Sequence, residues 1–294
     1  MTTQRHFAPR DLIWAELSRT ELAAKREAGA LVIVPTGAIE QHSDHLPVET
    51  DALLAVAICE LAAMRVTAAE VVVAPVVATG FSPHHQSLTG TISLRLETYL
   101  AVLGDTARSI LASGFPRVLF VNGHGGNSAP LRALCGQLVT DGLAVGMVDY
   151  SAPGEKQWLA ALTGGLLRSG HACEQETALM MALHEGEDRA RIVQGAADLP
   201  PRVIQPWIPP GHPEDPLTAF GGGWPPVFQA DDCGYYGDPG AATPEIGAAV
   251  LEATVAGLAD FLNAFASTPL RLGIARDPSR PGISPALKPR RTAE

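Results

Sequence analysis

LVIVPTGAIEQHSDHLPVETDALLAVAICELAA, residues 31–63, is the stretch that decides the fold. Residues 31–35 are apolar and mostly β-branched, which suits a strand buried on both faces of a parallel sheet. Residues 51–63 carry apolar side chains at helical spacing. Between strand and helix sits a polar cluster, Glu40-Gln41-His42-Ser43-Asp44-His45. The alternation recurs downstream. Residues 70–77, 117–121 and 143–148 are further strand candidates, and residues 96–112 and 128–139 are helix candidates. Strands alternating with helices predict a layered α/β domain with right-handed crossovers. No internal repeat is present.

Composition bounds what this domain can do. The chain has 294 residues, 46% hydrophobic and 18% charged, enough for a large buried core and too apolar for disorder. A formal charge of −10 argues against binding to phosphate backbones or to anionic membranes. No run of about 18 apolar residues is present, so no membrane span is expected. The first residues lack a contiguous apolar stretch, so no signal peptide is expected either. A soluble, cytoplasmic protein follows as the expectation. Cys59, Cys135, Cys173 and Cys233 form no CxxC and predict reduced thiols, not a disulfide frame.

Two segments stand apart. Residues 200–240 hold ten of the 24 prolines together with Trp207, Phe220, Trp224, Phe228, Tyr235 and Tyr236. Linkers seldom carry so many aromatics, so an ordered functional loop is expected, either a lid or a subunit contact. A helix is expected over 244–265. Residues 269–294 are basic and proline-rich and predict a mobile tail, leaving 1–268 as a single domain.

Seven of the nine histidines fall between positions 42 and 184. Most lie in four polar clusters: 40–45 with Asp51, 80–85, 122–127 and 170–177. The first three follow predicted strands, and open α/β sheets bind ligands beyond the carboxyl ends of their strands. Imidazole with carboxylate is the ligand set of Zn²⁺, Mn²⁺ or Fe²⁺. Glu40 and His42, two apart on an extended segment, point the same way. Asp51 sits at the expected start of a helix, and the glycines around His124 allow close approach. If a helix runs through the fourth cluster, His171 and Glu174 share a face while Glu176 points away. On that geometry Glu174 is the ligand and Glu176 a supporting catalytic partner.

EQHSDHLPVETD (40–51), GFSPHHQSLTGTISL (80–94), NGHGGN (122–127) and GHACEQET (170–177) resemble, in order and spacing, the signature segments of the creatininase (creatinine amidohydrolase) family. GYYGDPGAATPEIG (234–247) resembles the family's closing motif, and the likeness spans about 11–265. The resemblance implies a three-layer α/β/α domain with a central, mostly parallel sheet. It also implies two divalent metal ions (Zn, Mn or Fe), hydrolysis of an amide-type C–N bond in a small polar molecule, and a homo-oligomer, commonly a hexamer. By position, Glu40, His42, Asp51 and His124 match metal ligands, with Asp51 bridging. His171 matches a proton-transfer histidine, and Ser82 and His85 match the segment that approaches substrate. The chain departs from the family at Gly125 and Gly126, where creatininase itself has a Tyr and a ligand Glu. That departure speaks against creatinine as the substrate and leaves Glu174 to supply the carboxylate. Ser43-Asp44, Thr89 and Cys173 also depart, at positions where replacement is tolerable.

Duller readings exist for single residues. Asp51, Glu174 and Glu176 could each favour a helix N-terminus, and His84 and His184 read as surface or packing residues. The glycines at 123, 125 and 126 could cradle a phosphate, but the order is not GxGxxG. A serine hydrolase is excluded, since no GxSxG is present. Two rival functions remain: a metal-dependent lyase or hydrolase of an oxidised sugar or cyclitol, and a non-catalytic binding protein on the same scaffold. In the favoured mechanism two ions about 3.5–4 Å apart supply an activated water, and His171 protonates the leaving nitrogen.

Overall fold

The computed structural model describes residues 6–165, 170–202 and 227–273. Its sheet has four parallel strands, β1 (Leu31–Thr36), β2 (Val71–Val73), β3 (Arg117–Asn122) and β4 (Val145–Asp149), ordered β2-β1-β3-β4. Leu31 pairs with both Val71 and Arg117, and Val118 pairs with Val145. β1 and β3 fall where their all-apolar runs place them. β2 is shorter than its run because Pro35 of β1 has no N–H to give it after Ala74 N bonds the Ile33 carbonyl, and the ladder resumes only as a bridge between Thr36 and Val77.

Eight α-helices accompany the sheet among the described residues: α1 (Arg19–Glu27), α2 (Thr50–Ala63), α3 (Leu96–Ala112), α4 (Gly125–Thr140), α5 (Glu155–Leu159), α6 (Glu174–Leu183), α7 (Gly186–Ala196) and α8 (Pro244–Ser267). Strand alternation sorts them into layers. Leu31 and Ile33 face one way, into a core with Leu54 and Ile58 of α2, Leu179 and Met180 of α6, and Val250, Leu258 and Leu262 of α8. Val32 and Val34 face the other way, onto Tyr99 and Leu103 of α3 and Leu131 and Leu138 of α4. Each such fully buried side chain contributes about 1.5–3 kcal/mol of transfer free energy. Helices on both faces of a parallel sheet make the domain a three-layer α/β/α fold.

α8 is long and apolar enough, by length and composition alone, to cross a membrane. Here it lies along α6, α2 and α5 as a core helix. Of the proline- and aromatic-rich segment 200–240, residues 203–226, with Trp207, Phe220 and Trp224, lie outside the described residues. So does 274–294, most of the expected tail.

Candidate metal centre

The carboxyl ends of β1 and β3 lie side by side, and the polar clusters leave the sheet there. After β1 the chain turns at Gly37, packed so closely on α2 that a Cβ would stand 2.6 Å from the Ala52 backbone. This contact brings the Glu40–His42 segment over the start of α2, where Asp51 sits in the first turn. After β3, Gly123 is pressed against the Asp51 carbonyl, and His124 precedes α4 as its N-cap residue. Asn122 fixes that corner. Its Oδ1 accepts from Thr36 Oγ1 and from His124 N (each 3.2 Å), and its Nδ2 donates to the His124 carbonyl (2.6 Å). Asn127 ties in the third cluster, donating to the Gly37 carbonyl (3.0 Å) and accepting from Phe81 N (2.9 Å).

Three carboxylates and three imidazoles converge. Asp51 presents Oδ1 to His42 Nε2 (3.2 Å) and Oδ2 to His124 Nδ1 (2.9 Å). Glu40 Oε1 lies 3.2 Å from His124 Nδ1 and 3.5 Å from His171 Nδ1. Glu176 Oε2 lies 4.0 Å from His42 Nε2. Glu40, His42, Asp51, His124 and His171 are all buried. Each histidine gives its other ring nitrogen to an acceptor on the far side. His42 Nδ1 meets the Glu40 carbonyl (3.1 Å), His124 Nε2 meets the Phe81 carbonyl (3.2 Å) and His171 Nε2 meets the Gln41 carbonyl (2.7 Å). A backbone carbonyl can only accept, so each N–H points outward and each lone pair faces a carboxylate.

Lone pair against carboxylate is repulsive unless a cation stands between. Glu40 Oε2, His42 Nε2 and Asp51 Oδ2 are buried with no hydrogen-bond partner, although Asp51 Oδ2 is only 2.9 Å from an imidazole nitrogen. Two triads, Glu40–Asp51–His124 and His42–Asp51–Glu176, each place one ligand atom per residue within 4.8 Å of the others, and they share Asp51. Harder oxygen and borderline nitrogen donors in these triads fit a divalent transition ion. A third such group, Glu40, His42 and His171, overlaps both.

Without a cation, protons take its place. Burial would lower the His42 pKa, but the Asp51 carboxylate overrides it and holds the imidazole up at about 9. His124 is likewise raised, against the pull of burial, by Glu40 and Asp51. Burial, then repulsion from Asp51, pushes the Glu40 carboxyl upward. His171 moves the other way, held neutral by burial and by the charge on His42.

Glu174 does not join the centre. The expected helix through 171–177 begins only at Glu174, after a turn in which Ala172 takes φ +49°, so His171 and Glu174 share no helical face. Glu174 turns instead to the chain at Thr163 and Gly164, accepting from their backbone N–H groups at 2.8 and 3.0 Å. Glu176 reaches back, accepts from Ala172 N (2.6 Å), and takes the place expected for Glu174. The absence of a carboxylate at 126 has a steric cause: a Cβ there would collide with the His124 ring and the Phe81 carbonyl.

Ser82 and His85 are buried beside the centre. Ser82 Oγ lies 3.1 Å from His124 Nε2, backing that ring. His85 Nε2 lies 3.5 Å from Glu40 Oε1. His45 is turned to Thr177 Oγ1 (2.9 Å) and His184 to the Met180 carbonyl (2.9 Å), so neither enters. From the aromatic segment, the Phe228 ring lies tilted 4.8 Å from His85 and 5.3 Å from His171, and Tyr236 lies 6.4 Å from His171. Gln41, between two centre residues in the sequence, was given no role by pattern reasoning, and its side chain touches both His85 and His171.

The comparisons with known proteins point one way. The family model described as creatinine amidohydrolase matches residues 15–262. The chain is similar to the mycofactocin precursor peptide peptidase of Mycobacterium tuberculosis, 29% identical over 231 residues, covering 76% of this chain and 81% of that protein. It is also similar to the creatinine amidohydrolase of Pseudomonas putida, 34% identical over 119 residues, covering 38% of this chain and 45% of that protein. A solved creatinine amidohydrolase (creatininase) superposes with a TM-score of 0.67 at 25% identity, covering 88% of this chain and 99% of that one. Solved creatininases of the same fold include a manganese form and a zinc–zinc form.

Proposed function

The chain belongs to the creatininase family of hydrolases, and from that premise we propose that it hydrolyses an amide-type C–N bond of a small polar substrate, a cyclic amide or a formamide, using two divalent ions. One observation carries the reading. Three buried histidine lone pairs are turned onto buried carboxylates, an arrangement that bound cations would relieve and that no side chain among the described residues does. Glu40, Asp51 and His124 would hold one ion, and His42, Asp51 and Glu176 the other, with Asp51 between them. Zinc, manganese and iron all suit these donors. Such a pair supplies a nucleophilic water at neutral pH and polarises the scissile carbonyl.

The remaining residues act around that chemistry. His171, with Nε2–H held by the Gln41 carbonyl, has only Nδ1 free to carry a proton to the leaving nitrogen. His85 Nε2 is aimed inward as a donor beside Glu40. Phe228 and Tyr236 cover His171 and keep water from it. Ser82, on the segment proposed to approach substrate, also steadies His124. The same premise carries a cytoplasmic homo-oligomer, with a hexamer as the state to look for by light scattering.

Elemental analysis of the purified chain, with a product screen on cyclic amides, formamides and oxidised sugars, tests the proposal. About two ions per chain and release of an amine or ammonia are expected. Failure to bind metal after reconstitution would sink it. Turnover of an oxidised sugar or cyclitol without amine release would replace it with lyase or C–O/C–C hydrolase chemistry. If Glu40→Ala left every function unchanged, the binding-protein reading would take over.

A further inference from the structure

We propose that Gln41 is a positioning residue that fixes the tautomers of His85 and His171, so that Glu40 faces an N–H on one side and a lone pair on the other. The inference builds on the metal-centre reading above, and the chain of donors and acceptors begins outside that centre. Ser43 N, a donor only, lies 3.0 Å from Gln41 Oε1. That contact settles which end of the amide is oxygen, a choice otherwise open to a flip. Ser43 is itself held in place, with φ +57° and its hydroxyl bonded to the Cys233 carbonyl (2.8 Å). Gly234 lies against the same oxygen, where a Cβ would collide with it. The amide therefore has little room to turn.

With Oε1 committed to Ser43, Nε2 is the end that faces the histidines, and it can only donate. Its partner at 2.9 Å is His85 Nδ1, which must be bare. The His85 proton then sits on Nε2, the atom 3.5 Å from Glu40 Oε1. The backbone of the same residue sets His171. The Gln41 carbonyl, 2.7 Å from His171 Nε2, can only accept, so that nitrogen carries the proton and Nδ1 is bare. His171 Nδ1 also lies 3.5 Å from Glu40 Oε1. Gln41 Nε2 approaches His171 Nε2 at 3.1 Å, but two donors make no bond, and the shorter carbonyl contact decides the proton.

The consequence is a division of labour. Both imidazoles are Nε2–H tautomers, yet they offer opposite groups to the centre because their rings are reversed relative to Glu40. His85 is a donor, able to hold a carboxylate or a substrate carbonyl but not an ion. His171 is an acceptor, able to take and return a proton at Nδ1. A glutamine fixes an imidazole tautomer as the carboxylate partners of catalytic histidines do elsewhere, but by donating to the ring and not by accepting from it. It adds no negative charge to a site that already holds three carboxylates.

The test is long-range ¹H–¹⁵N correlation on the zinc-loaded, ¹⁵N-histidine-labelled protein, which reads the protonated nitrogen of each imidazole. Nε2–H is expected for both His85 and His171. In Gln41→Glu the side chain can only accept, so His85 is expected to switch to Nδ1–H while His171, held by the backbone, keeps Nε2–H. Turnover is expected to fall about 10–100-fold in that variant with zinc content unchanged. Nδ1–H on either residue in the parent protein overturns the proposal, and needs no variant that folds. An unchanged His85 tautomer in Gln41→Glu overturns it as well. A chain that takes up no zinc instead defeats the metal-centre reading, and the two failures are distinguishable by metal analysis of the same sample.

Discussion

Metal uptake by this chain is expected to expel protons, and their number follows from the geometry. In the metal-free chain at pH 7, His42 is held up at about 9 by Asp51, so it is almost wholly protonated. His124 is raised in the same way by Glu40 and Asp51 and is protonated too. His171 contributes nothing, because burial and the neighbouring His42 keep it neutral. Ligand atoms must be deprotonated to bind metal. Loading zinc at pH 7 should therefore release about two protons per chain from the histidines, and Glu40 and Glu176, both pushed upward first by burial, can only add to that number. At pH 10 His42 has already lost its proton, and the release should drop by about one. Apparent affinity should accordingly rise about a hundredfold per pH unit near neutrality and about tenfold per unit once His42 has titrated, above pH 9. Calorimetric titration in buffers of different ionisation enthalpy counts the protons directly. Release of less than one proton at pH 7, or an affinity indifferent to pH between 6 and 8, would refute the claim that these lone pairs face the carboxylates.

The variants separate the two carboxylates of α6. Asp51→Asn removes the carboxylate common to both candidate triads and should leave at most about one ion per chain by elemental analysis. Glu176→Gln should weaken zinc binding about 10–100-fold, read by competition with a chelating dye. Glu174→Gln should leave zinc content intact but cost about 1.5–3 kcal/mol in denaturant unfolding, because Thr163 and Gly164 lose a charged acceptor. The metal-free chain should lose stability as pH rises from about 6.5 through about 9, since His42 has a raised folded-state pKa and its contribution is complete only below the unfolded value. Zinc should reverse that loss in thermal melts at pH 9.

Much of this architecture is legible because its causes are local. The runs behind β1 and β3 are apolar on both faces, and α2, α3 and α8 fall within a residue or two of their hydrophobic spacing. Where the causes are less obvious, the pattern misleads. Pro35 interrupts the ladder to β2, and α4 begins at Gly125, not Ser128, because Gly126, which looks like loop, packs against the His124 ring as helix. α1 escaped notice although Ser18 and Glu21 spell a capping box, with each side chain bonded to the other's backbone N–H. The centre divides in the same manner. Glu40 and His42 are two apart on an extended strand exit and Asp51 opens α2, so their convergence follows from spacing. Glu174 against Glu176 could not be decided that way. The choice depends on a bridge between His171 and Tyr236, far along the chain, which keeps His171 out of the helix.

That bridge bears on how the carboxylate could have moved. With a side chain excluded at 126 by the His124 ring and the Phe81 carbonyl, that position supplies no carboxylate. Glu176 takes the position from α6, through a hydrogen bond to Ala172 N that depends on the positive φ of Ala172. Residue 172 also follows His171 directly. Glu176 and His171, the proposed ligand and proton carrier, are therefore tied through one turn, and any shift of that turn moves both together. Glu174, released from the centre, clamps the chain at Thr163 and Gly164, and Asp238 clamps Gly165 beside it (2.7 Å). Those clamps hold the approach to His171 from the N-terminal side, as Tyr236 holds it from across the bridge. Glu174, buried, sits next to the centre without entering it because its two oxygens are taken by the Thr163 and Gly164 N–H groups.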